Sequence, residues 1–376
     1  MAFPWREGNR FHLLIDGEHF FPAMLAAIKQ SREMVGLEMY LVQSGRIVDE
    51  FTEVCCAAAQ RGVQVFMLLD AFGAAGLSAQ ARARLRQSGV QLDFYNPLKL
   101  SQLWRFLRRD HRKILVVDHD VAFVGGVGLT DDFDSAVRGC GAWRETVVEC
   151  HGPVVVDWWR AFSSVWEAQN KQRINVAAAE EVPPRGDQRG RVALSAADLP
   201  HEIRRAAIKR IRTAKHRVWM ATAYFIPPWK VRRALRKVAR KSVEVRILVP
   251  GPQSDHPAVH YAGRRYYGPL LRAGVRIFEY QPRFIHAKTM ICDDWVSIGS
   301  ANIDRWNLRW NLEANQEIED VAFTAEVVMQ FERDLAASTE ITPARWKRRG
   351  TSARILERFW GTVDRLVDRY LRRPGG

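Results

Sequence analysis

The stretch HAKTMICD occupies residues 286–293, and the frame it presents already occurs at 111–118 as HRKILVVD. Each copy reads His, any residue, Lys, four apolar or small residues, Asp. At ordinary residue frequencies one such match arises by chance in roughly 3% of chains this long, and two in well under 0.1%. A repeated polar frame around an apolar run points to one site built twice. Within each frame ILVV or TMIC reads as a strand, and the following VAFVGG or WVSIGS reads as the returning strand of a hairpin. His and Lys, two apart on an extended chain, then point to one face.

The duplication reaches outward from the frames. Ala26-Ala27-Ile28-Lys29 recurs as Ala206-Ala207-Ile208-Lys209, each inside a helix-like stretch. Strand-like runs follow, MVGLEMYLV and RVWMATAYFIP, then a second helix pattern around 47–60 and 228–240. RGVQVFMLLD (61–70) and KSVEVRILVPG (241–251) read as buried parallel strands. LRQSGVQLDFYNP (85–97) matches LLRAGVRIFEYQP (270–282): a helix end, a turn glycine and another strand. The shared order predicts an α/β fold with a largely parallel or mixed sheet flanked by helices. Two repeats would be related by a pseudo-twofold axis, with the site at their interface. The expected boundaries are 1–170 and 201–344 for the repeats, with a linker at 171–200 rich in Pro, Gly and alternating charge. Residues 345–376 form a basic C-terminal segment. There Ile355, Leu356, Phe359, Trp360, Val363, Leu366, Val367, Tyr370 and Leu371 fall on one helical stripe. Arg354, Arg358, Arg365, Arg369 and Arg372 lie beside or opposite it. Such an amphipathic helix suits either an interfacial position on a membrane or packing against the body.

The net charge of +15 over 376 residues implies an anionic partner: nucleic acid, an anionic lipid surface or a phosphorylated substrate. Five cysteines form no C-x-x-C pair, which suits a reducing compartment and argues against a zinc site. No signal peptide and no run of eighteen apolar residues is visible, so any membrane contact is expected to be peripheral. One further basic and aromatic insertion, LKLSQLWRFLRRD, precedes His111 and has no counterpart before His286.

Two frames facing each other bring together His111, Lys113, His286 and Lys288. Neutral imidazole serves as nucleophile or as proton donor and acceptor near pH 7. Two ammonium groups suit the non-bridging oxygens of a phosphodiester. One His attacks phosphorus and the other protonates the leaving oxygen, then deprotonates the incoming alcohol or water. No metal or other cofactor is required. Asp118 and Asp293 complete the frames and count with the catalytic set, as organisers of structure more than as substrate contacts. Ser300 and Asn302, in Gly299-Ser300-Ala301-Asn302, offer hydrogen bonds to phosphate. Glu145 in WRETVV and Glu313 in NLEAN are placed to orient the histidines, each holding the His of its own half or the opposite one. His119, His151, His201, His256 and His260 lie outside the frames and read as structural.

These residues resemble the phospholipase D superfamily, marked by a doubled HxKx4D motif. HAKTMICDDWVSIGSANIDRWNLRWNLEAN, WREGNRFHLLIDGEHFFPAML and HRKILVVDHDVAFVGGVGLTD are similar to bacterial cardiolipin synthases, in particular the shorter ones without N-terminal transmembrane helices. The likeness runs from about Trp5 to about Ile341. It implies head-group exchange through a phosphatidyl-histidine, with phosphatidylglycerol as donor and acceptor and glycerol released. It also implies His111 as nucleophile and His286 as acid, at the cytoplasmic face of a bacterial plasma membrane, on phosphatidylglycerol and cardiolipin. The first copy departs from the pattern: Gly126 and Gly128 stand where the second has Ser and Asn, so backbone N–H groups around Gly126 would serve the phosphate there. Hydrolysis, with water as acceptor, and a phosphodiesterase acting on nucleic acid are the competing readings. The aromatic-basic segments favour lipid, and nucleic acid is not the expected partner.

Overall fold

A computed structural model describes residues 2–97, 108–171, 173–174, 182–196, 202–304 and 310–371. The basic insertion with Leu103, Trp104, Phe106 and Leu107 lies outside them. Seven strands belong to the first half: β1 (Arg6–Ile15), β2 (Met34–Met39), β3 (Gln64–Asp70), β4 (Gln91–Tyr95), β5 (Ile114–Val117), β6 (Val121–Gly125) and β7 (Thr146–His151). Eight follow: β8 (Gln188–Ser195), β9 (Arg217–Ala221), β10 (Glu244–Pro250), β11 (Arg276–Tyr280), β12 (Thr289–Cys292), β13 (Trp295–Gly299), β14 (Glu313–Glu319) and β15 (Ser338–Glu340).

All fifteen join one sheet, in the order β15-β11-β10-β9-β12-β13-β14-β8-β1-β7-β6-β5-β2-β3-β4. Outward from the β8–β1 seam the two halves carry the same succession, which is the pseudo-twofold repeat in strand form. Parallel pairing is confined to β2-β3-β4 and β9-β10-β11. The frame hairpins and everything between them pair antiparallel, so of the two expected arrangements, largely parallel or mixed, the sheet is the mixed one. Hairpins need only tight turns, whereas adjacent parallel strands need a crossover, which the helices Arg46–Gln60 and Ala79–Gln87 supply for β2-β3-β4. The expectation of a linker over 171–200 is corrected. Gln188–Ser195 forms β8, in the middle of the sheet, and pairs with β14 over seven residues.

Strand alternation divides the core. Val65, Met67 and Leu69 of β3 pack into one apolar cluster, while Phe66 and Leu68 face another. That period of two places a helical layer on both faces. The helix Val154–Asn170 crosses one face so closely that a Cβ at Gly36 would lie 3.0 Å from the Phe162 ring. Trp158, at its centre, donates its indole N–H to Gln316 of the other half at 2.8 Å. Arg144 and Asp334 form a buried two-pronged pair across the same seam, at 2.8 and 3.1 Å. The seam is therefore held by directional bonds as well as by apolar packing.

Candidate active site

The chain places each frame histidine by pairing its backbone with the opposite half. The His111 N–H donates to the Leu312 carbonyl at 3.0 Å, and the Leu312 N–H to Arg109 at 2.9 Å. In the mirrored place the His286 N–H donates to Arg144 at 2.8 Å, and the Arg144 N–H to Phe284 at 2.9 Å. Each His therefore lies beside the glutamate that follows its pairing partner. His111 Nδ1 is 3.1 Å from Glu313 Oε2 and 2.9 Å from Oε1. His286 Nδ1 is 2.7 Å from Glu145 Oε2. Of the two pairings the sequence left open, the crossed one is present. With Nδ1 bound to carboxylate, Nε2 is the ring nitrogen left to react. Both imidazoles line one cavity.

The lysines lock onto their own frames. Lys113 Nζ donates to the His111 carbonyl at 2.6 Å, and Lys288 Nζ donates to the His286 carbonyl and lies 3.5 Å from Glu145. Lys113 lines the cavity, whereas Lys288 is buried beneath it. Burial pulls Lys113 down to about 7, against the opposing pull of Glu313. Burial also lowers His111 well below the ordinary imidazole range, reinforced by Lys113, Lys288 and His286. His286 is lowered by burial and by Lys288, with Glu145 working in the other direction.

The two carboxylates differ most. Burial would raise Glu145, but Lys288, the His286 contact and the Thr146 N–H hold it at about 2. Burial pushes Glu313 up to about 8, only partly offset by Lys113, Ser300 and Lys288. Position 126 carries part of this asymmetry. A Cβ at Gly126 would lie 2.3 Å from Glu145 Oε2, so the carboxylate occupies the space where the second half has the side chain of Ser300. Ser300 in turn donates its hydroxyl to Glu313 and accepts from the Ala314 N–H at 3.0 Å.

One expectation is therefore corrected, and the reading of the frame aspartates as organisers of structure fits their contacts. Ser300 is fully buried and spends its hydroxyl on Glu313, not on a phosphate. Asp118 and Asp293 sit at the far ends of β5 and β12 in left-handed turn conformations. Their carboxylates accept three backbone N–H groups each: Arg32, Glu33 and Met34 at 2.7–2.9 Å, and Lys215, His216 and Arg217 at 2.8–3.0 Å. They pin the start of β2 and β9 and take no part in the cavity. Asn302 is as fully buried as Ser300 and does not line the cavity. Its Oδ1 accepts from Thr222 at 3.1 Å, while its buried Nδ2 has no partner among the described residues.

The cavity encloses about 730 Å³ and holds residues the motif did not reveal. The Tyr40 ring meets His111 edge-on at 4.8 Å and lies 5.0 Å from the Lys113 ammonium. Trp143, Phe133 and Phe284 surround His286 with ring centroids 5.5–5.7 Å away. Tyr224 bonds Asp255 and, with His256, lines the second half's wall. Tyr40 and Tyr224 fall just beyond β2 and β9, in nearly equivalent places. That repetition was a signal available in the sequence. The rim is not uniformly basic: Asp132, Asp255, Asp304 and Asp364 line it too.

The family model described as cardiolipin synthase, PLD-like domain, matches residues 24–166 and 207–335. Cardiolipin synthase A of Pseudomonas aeruginosa is 33% identical over 374 residues, 98% of this chain and 74% of the relative. Cardiolipin synthase B of Salmonella typhi is 34% identical over 85% of this chain and 78% of its own length. A phosphatidylserine synthase from Haemophilus influenzae shares the fold with a TM-score of 0.70 at 12% identity, over 97% of this chain and 94% of that one. A doubled motif, a doubled sheet and these relatives agree: the chain belongs to the cardiolipin synthase family and is a phospholipid transferase of the phospholipase D superfamily.

Proposed function

We propose that the chain moves a phosphatidyl group from one phosphatidylglycerol to the terminal hydroxyl of a second, releasing glycerol. His111 Nε2 attacks phosphorus and forms an N–P bond as the P–O bond to glycerol breaks. His286 gives its proton to the departing oxygen. The second phosphatidylglycerol then attacks phosphorus, His286 takes its proton, and the N–P bond breaks to restore His111. Lys113 faces the charge on the non-bridging oxygens, with the buried positive charge of Lys288 behind it.

The observation that carries this reading is the crossed pair of His–Glu contacts at one cavity, His111 with Glu313 and His286 with Glu145. Their inequality supports the division of roles. Ionised Glu145 works toward the protonated imidazole an acid needs, against burial and Lys288, whereas burial and the neighbouring cations keep His111 neutral as a nucleophile must be. The carboxylates on the rim suit the hydroxyls of glycerol and repel a nucleic acid backbone. The positive charge and the five unpaired cysteines support a place at the cytoplasmic face of a bacterial plasma membrane, bound peripherally.

Incubation with labelled phosphatidylglycerol in vesicles, followed by identification of every product, tests the reading. Cardiolipin and glycerol in equal amounts are expected. Phosphatidic acid as the main product would replace it with hydrolysis, and DNA cleavage without any lipid product would replace it with a nuclease.

A further inference from the structure

The C-terminal helix Thr351–Leu371 inverts the habit of surface helices, which bury their apolar stripe. Over 351–367 the residues it buries are Glu357, Gly361 and Asp364. Glu357 accepts from Arg349 at 2.9 Å and from Arg264 at 3.1 Å, and Asp364 lies 3.2 Å from Arg265. Trp360, at one edge of its apolar stripe, packs against the core of the second half, and the rest of the stripe turns away from it. Ile355, Leu356, Phe359, Leu366 and Val367 are 37–62% exposed, and they are five of the ten large hydrophobic side chains exposed among the described residues.

Two borders of this stripe fix what it can meet. On one side Trp360, Val363 and Val367 line the catalytic cavity, so the stripe runs into the cavity mouth, where Phe72 is also 54% exposed. On the other flank Arg354, Arg358 and Arg365 form no ion pair with a carboxylate among the described residues. Together with Arg265 and Arg349 they line a groove of about 350 Å³.

We propose that this helix lies in the head-group layer of an anionic bilayer. Ile355, Phe359 and Leu366 enter the acyl boundary, the arginine groove takes head-group phosphate, and the Val363–Val367 edge is the path by which a lipid head group reaches the two histidines. Apolar residues flanked by arginines match a lipid interface in depth and charge. A second copy of this chain fits less well, because a twofold pairing would bring like arginine flanks together and close the cavity mouth. The lipid path rests on the transfer reading above; the docking face is read from the helix itself.

The test uses the full chain, vesicles of phosphatidylcholine with or without phosphatidylglycerol, and dissolved short-chain phosphatidylglycerol. The double variant Phe359→Glu, Leu366→Glu is expected to lose about tenfold or more in vesicle partitioning and to lose turnover of vesicle lipid in parallel. Turnover of the dissolved substrate should stay at the wild-type rate, which also shows that the variant is folded. Phe359→Trp, which keeps the face apolar, should bind as the wild type does. Charge removal by Arg354→Gln, Arg358→Gln and Arg365→Gln should abolish the preference for phosphatidylglycerol vesicles. Unchanged vesicle binding by the double variant overturns the proposal and leaves the transfer reading standing. A wild-type dimer that dissociates in the double variant also overturns it, by giving the face to a second copy. Wild-type chain that binds vesicles through this face but makes no new phospholipid would refute the transfer reading and keep the docking face.

Discussion

The two halves share a strand order, a frame and a backbone exchange that sets each histidine against the other half's glutamate. They part at single residues. Where one half has Ser300 bonded to Glu313, the other has Gly126, with Glu145 pressed into the vacated space. One carboxyl is held at about 2 and its counterpart is pushed up to about 8. A symmetric scaffold can therefore hold two chemically unequal dyads, and a reaction that needs one nucleophile and one acid uses that inequality.

Removing the histidines should have the largest effect. His111→Ala is expected to abolish transfer, and His286→Ala to slow it by about 10²–10⁴-fold, as loss of a general acid and base does. Conversion of labelled phosphatidylglycerol measures both, with an unchanged circular dichroism spectrum as the control. Equal activity in both variants and the wild type would break the two-histidine account.

The glutamates come next and should separate the halves. Glu145→Gln removes an ionised group from His286 and buried Lys288, and should cost about 10–100-fold. Glu313→Gln replaces a carboxyl that holds its proton near neutrality, and should cost under about tenfold at pH 7. Stability gives a second comparison. Folded Glu313 keeps its proton up to about 8, while the unfolded chain releases it near the ordinary value of 4.5. The native state thus binds the extra proton, and its advantage falls as pH rises between those values. Denaturant midpoints of wild type minus Glu313→Gln should fall across that window; a flat difference would contradict the raised carboxyl.

Smaller again are the changes that make the halves alike. Gly126→Ser places an atom inside contact distance of Glu145 and should destabilise by about 1–3 kcal/mol, with a loss of activity through a displaced carboxylate. Ser300→Ala strands the buried Ala314 N–H and should cost about 1–3 kcal/mol. The least effect on turnover belongs to Asp118→Asn and Asp293→Asn. Each weakens three backbone bonds remote from the cavity, so thermal midpoints should drop while kcat stays within about twofold. A collapse of kcat in folded protein would return these residues to the chemistry.

The repeats, the frame and both glutamates were legible in the sequence because local spacing encodes them. The crossing was not, because it depends on β8 and β1 meeting at the seam, a long-range pairing that no local pattern specifies. β8 itself was hidden: GRVALS sits among Pro, Gly and alternating charge, which read as linker. Ser300 was misjudged for a different reason. A polar residue in a motif can serve backbone N–H groups or another side chain as readily as substrate, and only the contacts of Asp118 and Ser300 distinguish these uses. The C-terminal stripe was visible, but which of its faces meets the body was not.

The most direct measurement is to find where the phosphatidyl group rests between the two steps. With a substrate carrying a good leaving group, His286→Ala should form the covalent adduct but release it slowly. Quenching in denaturant and peptide mass spectrometry should then locate a phosphoramidate on His111. An adduct on any other residue, or steady turnover with no adduct at all, would contradict a single phosphorus held between the crossed dyads.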